Sequence, residues 1–112
     1  MKLVIGIVWD DDAPALIEEL TKREYRVTKL ASTGGFLRAG NTTLLIGTEN
    51  EKVDELLDII REMCKSRKQI LPMPASVIGT SGIFAAAPAH SVEVNVGGAT
   101  IFVVDVERFE KV

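Results

Sequence analysis

The segment YRVTKLASTGGFLRAGNTTLLIGT, residues 25–48, predicts two strands joined by a glycine-rich loop. Polar and apolar residues alternate with a period of two over residues 25–32, as in a strand with one exposed face. Residues 41–48 are rich in threonine, leucine and isoleucine and are typical of a following strand. Because the loop between the two strands is short, we expect an antiparallel hairpin.

Each side of this hairpin carries a further strand and an amphipathic helix. Upstream, residues 3–9 form an apolar run of strand length, and the acidic residues 10–12 with Pro14 indicate the start of a helix. Downstream, residues 49–65 have apolar positions at helical spacing, and residues 92–96 and 100–106 are two short strand patterns separated by Gly97-Gly98. The order β-α-β-β-α-β with a split last strand predicts an α+β, ferredoxin-like sandwich in a single domain over residues 1–112.

Residues 66–91 do not fit this alternation of strands and helices. They contain three of the four prolines and two glycines among small side chains, and they are too long for an ordinary connection. We therefore predict a long flexible loop there, in addition to the glycine loop at 33–41. Two helices cover only one face of such a sheet, so the predicted apolar strands also suggest oligomerisation.

Composition narrows the class of protein. The chain has 112 residues, 46% of them hydrophobic, and a net charge of −3, which argues against a general binder of nucleic acids or anionic membranes. The single cysteine, Cys64, is expected to be a small buried side chain in a reducing environment. The apolar run at residues 3–9 is far shorter than a membrane span, so we expect a cytoplasmic protein without membrane insertion.

The glycine loop has the chemistry of a nucleotide-binding site. Its glycines let backbone N–H groups approach a ligand closely, Phe36 offers a flat face to a base, and the amide of Asn41 matches the edge of adenine. An ordinary hairpin with a glycine-rich turn explains the same residues. The residue types alone do not decide between a nucleotide-binding loop and an ordinary hairpin turn.

Residues expected of a catalytic or metal site are few. The acidic run at 10–12 resembles a magnesium site but is explained as the cap and first turn of a helix. The chain has one histidine, His90, and no spacing that assembles a nucleophile with a base. We therefore predict no catalytic residues, no metal and no cofactor, and do not expect an enzyme.

Residues 33–43, TGGFLRAGNTT, followed by IGTE at 46–49, closely resemble the PII-like cyclic di-AMP receptors of Gram-positive bacteria. The segments CKSR at 64–67 and VGGATIFV at 96–103 match the same family. The resemblance implies a homotrimer of ferredoxin-like protomers that binds one cyclic dinucleotide at each subunit interface. It also implies a signal receptor that acts on an unidentified downstream protein.

The resemblance also implies a set of ligand-binding residues. Arg26 and Thr28 would lie next to the phosphates, Gly35, Phe36 and Leu37 would hold an adenine, and Asn41 would bind its edge. Gly47 would keep the floor of the pocket open, and the neighbouring region or subunit would supply Gly97, Gly98 and Phe102. The chain ends FEKV where several relatives have a glutamine near the ligand, so the role of Lys111 is open.

Two other interpretations predict different ligands. A PII-type nitrogen regulator that binds ATP or ADP would share the fold, but it carries a longer loop after its second strand and a phosphate-binding lysine where this chain has Thr100. A trimeric protein-interaction module would use the glycine loop as a docking surface and bind no nucleotide.

Overall fold

The computed structural model describes residues 1–30, 40–72 and 91–112. Contacts divide them into two compact units, residues 1–66 with 97–112, and residues 67–96. The regular elements, in chain order, are β1 (Lys2–Trp9), α1 (Ala13–Lys22), β2 (Arg26–Leu30), β3 (Asn41–Thr48), α2 (Val53–Cys64), β4 (Arg67–Pro72), β5 (Ser91–Val96) and β6 (Ala99–Asp105). Short 3₁₀ turns at Asp10–Asp12 and Asn50–Lys52 lead into the two helices.

The first unit contains a four-stranded sheet in the order β2-β3-β1-β6, with every neighbouring pair antiparallel. The predicted hairpin of the second and third strands is confirmed, with Arg26 opposite Gly47 and Leu30 opposite Thr43. Since β1 and β2 both run antiparallel to β3, they are parallel to each other with β3 between them. This α+β arrangement is compatible with the expected ferredoxin-like fold.

The core lies between the two helices and one face of the sheet. Alternate residues of β1 and β3 point into it, because successive side chains of a strand face opposite ways. The helices supply apolar residues at spacings of three and four. The fully buried large side chains are Val4, Val8, Leu16, Leu20, Leu44, Ile46, Leu56, Ile60 and Cys64. The prediction of a buried Cys64 is confirmed.

The other face of the sheet is less covered. Leu3, Ile5 and Ile7 of β1 are half-buried there, and Phe102 of the edge strand β6 is 52% exposed. Phe102 lies directly opposite Ile5, so an apolar row continues from the centre of the sheet to its edge. The described residues of a single chain therefore leave apolar surface on this face open to solvent.

Helix α1 ends in a turn that delivers the chain to β2. Glu24 has a positive φ of 69°, the N–H of Glu24 donates to the carbonyl of Thr21 at 3.0 Å, and the N–H of Tyr25 donates to that of Leu20 at 2.9 Å. These bonds form a Schellman motif, which satisfies carbonyls at the end of the helix. Tyr25 and Leu20 are both buried, and a hydrophobic contact between these two positions often accompanies the motif. The turn leaves Arg26 exposed as the first residue of β2.

The second unit corrects two of the sequence predictions. The segment predicted as a loop begins with a strand, β4, which pairs with β5 in a separate two-stranded antiparallel sheet. Only cross-strand pairing reveals β4, because its sequence RKQILP has no simple alternation. The predicted split last strand is wrong as well, since β5 and β6 belong to different sheets. Gly97 and Gly98 separate them with φ of 80° and 88°, values outside the strand region.

Candidate functional site

A cavity of about 620 Å³ lies in the first unit. It joins the start of β2, the end of β3, the turn before α2 and the C-terminal segment. Its lining residues are Met1, Leu3, Glu24, Tyr25, Arg26, Thr28, Leu45, Gly47, Thr48, Glu49, Lys52, Val106 and Phe109. The volume falls within the range of about 300–1,000 Å³ that is typical of small-molecule sites.

Three of the predicted ligand-binding residues line this cavity together. Arg26 and Thr28 are two residues apart on β2 and therefore share a face of the sheet. The register of the hairpin places Arg26 opposite Gly47 and Thr28 opposite Leu45. The guanidinium of Arg26 and the hydroxyl of Thr28 thus lie next to Gly47, which has no side chain. The guanidinium and the hydroxyl are both suited to bind an anionic group.

The other predicted residues lie elsewhere or outside the described residues. Asn41 is exposed at the start of β3, opposite Trp9, and does not line the cavity. Phe102 lies on β6, and the Gly97-Gly98 turn is held by a hydrogen bond from the N–H of Gly98 to the carbonyl of Cys64. None of these three residues lines the cavity. Gly35, Phe36 and Leu37 fall in the segment 31–39, outside the described residues. Lys111 is exposed and does not line the cavity.

Sequence reasoning missed several lining residues, most clearly Lys52 and Phe109. Lys52 ends the 3₁₀ turn before α2 and looks like an ordinary charge at the start of a helix. Phe109 belongs to the irregular C-terminal segment, where no periodicity indicates a partner. A hydrogen bond of 3.2 Å from the N–H of Val106 to the carbonyl of Met1 brings that segment beside the N-terminus. Only the folded chain places these residues together.

A hydrogen-bonded cluster holds one wall of the cavity. The Tyr25 hydroxyl donates to Glu55 Oε2 at 2.8 Å and lies 3.3 Å from the carbonyl oxygen of Lys52. Arg23 donates from Nε to Glu19 Oε1 at 2.9 Å and from Nη1 to Glu55 Oε1 at 3.4 Å. The cluster therefore links the end of α1 and the start of β2 to the beginning of α2. Arg26 follows Tyr25 directly, so the same contacts position the β2 end of the cavity.

The pKa of Tyr25 is raised to about 12 from its ordinary value of 10.0. Burial is the main cause, and Glu55 adds to it because its carboxylate accepts the hydroxyl hydrogen bond and repels the phenolate. Arg23 opposes the rise in the pKa. The folded state therefore holds the Tyr25 proton more tightly than the unfolded state does. The contribution of the protonated hydroxyl to the free energy of unfolding is complete below pH 10 and is lost as the pH rises towards 12.

Tyrosinate absorbance is expected to titrate with a midpoint near pH 12 in the folded protein and near pH 10 in denaturant. Tyr25 is the only tyrosine of the chain, so the signal belongs to it alone. Circular dichroism of the same samples verifies that the protein is folded at each pH, and Tyr25→Phe provides the blank. A folded-state midpoint near pH 10 would show that the hydroxyl is solvated and does not bond to Glu55.

The charges on the cavity are balanced but include two cations without a carboxylate partner. Within residues 1–30, 40–72 and 91–112, neither Arg26 nor Lys52 forms an ion pair. Glu24 and Glu49 also line the cavity and offset the formal charge of these cations. An anion therefore gains little from net charge and must contact a cation directly.

In the acidic run beside the first helix, Asp10 has a structural role in holding the start of β3. Asp10 accepts a hydrogen bond from the Thr42 hydroxyl, and its N–H donates to the carbonyl of Gly40 at 2.7 Å. Asp12 occupies the N-cap position of α1 without a side-chain capping bond.

Among the described residues, no three His, Cys, Asp or Glu side chains are grouped so as to hold a metal ion. In the same part of the chain, no helix combines the length and the apolar character needed to span a membrane.

Comparisons with known proteins agree with the architecture. A protein of unknown function from Pediococcus pentosaceus ATCC 25745 has a similar crystal structure, with 40% sequence identity and a TM-score of 0.74. The match covers 99% of this chain and 96% of that one. The sequence profile of the cyclic-di-AMP receptors matches residues 1–112. The chain belongs to the cyclic-di-AMP receptor family.

Proposed function

We propose that this protein is a cytoplasmic receptor that binds cyclic di-AMP at the interfaces of a homotrimer and catalyses no reaction. The observation that carries the proposal is the cavity lined by Arg26, Thr28 and Gly47, in a chain of the cyclic-di-AMP receptor family. A guanidinium and a hydroxyl hold phosphate oxygens, and the absence of a side chain at Gly47 leaves room for the ligand. This assignment makes β2 and β3 the phosphate-binding half of the site.

The remaining ligand-binding residues are assigned to the same site as part of the proposal. Phe36, with Gly35 and Leu37, stacks on an adenine, and Asn41 binds its edge; base–aromatic stacking contributes about 1–3 kcal/mol per base. Gly97, Gly98 and Phe102 complete the site from a neighbouring copy.

Exposed apolar side chains support the assembly of several copies. Phe102, Val103 and Val104 of β6 are each more than 40% exposed in the single chain. β6 is also an edge strand, so its outer backbone groups have no neighbouring strand in the four-stranded sheet. A second copy placed against this edge removes apolar surface from water and brings another set of residues to the ligand.

In the proposed mechanism, ligand binding favours one state of the glycine loop and of the long loop predicted over residues 66–91. The part of that loop beyond β4 carries the signal to a downstream protein. Such a population shift requires the ligand to contact one loop state more favourably than the other. Phe36 and its neighbours supply those differential contacts.

Calorimetric titration of the full chain with cyclic di-AMP, cyclic di-GMP and ATP tests the proposal. We expect cyclic di-AMP to bind with micromolar or tighter affinity, at one ligand per chain, and the other two ligands at least about tenfold more weakly. Light scattering is expected to give three times the 12.2 kDa mass of one chain. Preference for ATP would favour the nitrogen-regulator alternative, and no binding of any of the three would favour the protein-interaction module.

A further inference from the structure

Lys52 is a second cation on the cavity that contains Arg26. It ends the Asn50–Lys52 turn, whereas Arg26 begins β2, so the two charges come from separate elements. The sequence shows no relation between them. Their common cavity is a product of the fold.

The backbone of Lys52 is held in place from two sides. Its N–H donates to the carbonyl of Glu49 at 3.0 Å, and its own carbonyl oxygen lies 3.3 Å from the Tyr25 hydroxyl. The ammonium lies 5.5 Å from the centre of the Tyr25 ring, within cation–π distance. The lysine stem is therefore anchored at its base and along an aromatic face, and Lys52 as a whole is exposed and lines the cavity.

Several cations of the described residues are ion-paired, whereas Arg26 and Lys52, like Lys22, Lys29 and Lys111, are not. Lys2, Arg23, Arg61, Lys68 and Arg108 each have a carboxylate partner. Lys52 and Arg26 have none in the same part of the chain, although Glu24 and Glu49 line the same cavity. Both cations are thus available to a ligand without first breaking an ion pair.

We infer that Lys52 is a phosphate-binding residue of this cavity, and that it holds one phosphodiester of cyclic di-AMP while Arg26 holds the other. The inference rests on the proposed function and adds a residue to the site. The dinucleotide carries two phosphodiesters, each with one negative charge at neutral pH, and the cavity offers two cations. An ammonium and a guanidinium both form charge-assisted hydrogen bonds to phosphate oxygens.

The inference is tested by titrating cyclic di-AMP into the wild-type protein and Lys52→Gln at two salt concentrations. We expect Lys52→Gln to bind about tenfold more weakly, since hydrogen bonds to charged groups are among the stronger ones. The affinity of the variant is also expected to fall less steeply with added salt, because one screened charge pair is lost. Lys52→Arg keeps the charge and is expected to stay within about threefold of wild type.

Lys22→Gln is the matched control, because Lys22 is exposed on α1 and does not line the cavity. It changes the net charge by the same amount and is expected to leave both the affinity and its salt dependence unchanged. The inference is overturned if Lys52→Gln binds the dinucleotide with wild-type affinity. It is also overturned if the variant binds more weakly but with the salt dependence of wild type, because that result indicates a structural role of Lys52 through Tyr25. Failure of the wild-type protein to bind cyclic di-AMP overturns the proposed function as well.

Discussion

Gly47→Leu is expected to weaken the binding of cyclic di-AMP by more than about a hundredfold while the protein stays folded. Gly47 lies between Leu3 on β1 and Arg26 on β2, and all three line the cavity. A Cβ placed on Gly47 meets no heavy atom within 4 Å. There is thus room for a Cβ in the free protein, and we expect the rest of a leucine side chain to fill cavity space that the proposed ligand needs.

Calorimetric titration measures this loss, and chemical unfolding verifies the stability of the variant. Gly47→Ala is expected to give a smaller loss, because a single methyl group fills little of the cavity. Gly6→Ala is the control on the opposite face: Gly6 is buried, and a Cβ there also meets nothing within 4 Å. If a folded Gly47→Leu variant bound the dinucleotide as tightly as wild type, the ligand would not occupy this cavity.

Leu56→Ala is expected to lower the free energy of unfolding by about 3 kcal/mol. Leu56 is fully buried on the inner face of α2 and belongs to the core cluster with Leu16, Leu20 and Leu44. Truncation removes apolar atoms from a close-packed interior and leaves a space that its neighbours fill only in part. Guanidinium unfolding followed by circular dichroism gives the difference in free energy.

The adjacent residue Leu57 provides the matched control for the same substitution. Leu57 is only half-buried at the margin of the core, so Leu57→Ala is expected to cost about 1 kcal/mol. All variants are compared at one protein concentration, because assembly of copies would add a concentration-dependent term to the stability. Equal losses at both positions would contradict the placement of Leu56 in the core and Leu57 at its edge.

Local sequence patterns predicted the elements of the first unit well. The alternation in RVTKL and the apolar run in β1 have the strand period, and the inner positions of both helices have the helical period. On α2, where the apolar positions were expected at helical spacing, Leu56 and Ile60 are fully buried, and Val53, Leu57 and Met63 are half-buried. Such periodicities reflect which side of an element faces water, and they need no knowledge of its partners.

Pairing between distant segments was harder to predict. β4 is a strand because it pairs with β5, with Arg67 opposite Val96. β5 appeared to be half of the last strand because its apolar pattern continues into β6 across two glycines. Both errors concern which segments hydrogen-bond to each other, and a local pattern does not contain that information.

The candidate site divides in the same way. The resemblance predicted Arg26, Thr28 and Gly47 as site residues, and the strand period puts Arg26 and Thr28 on one face. The register of the hairpin, which places Gly47 opposite Arg26, is known only from the structure. Lys52 and Phe109 join them only because α2 packs against the sheet and the C-terminal segment returns beside Met1. The chain's residue types and spacings determined the elements of the first unit, its family resemblance and three of the residues that line the cavity. Long-range packing decided the rest, since the free energy that holds Lys52 and Phe109 at the cavity comes from contacts between residues far apart in the chain.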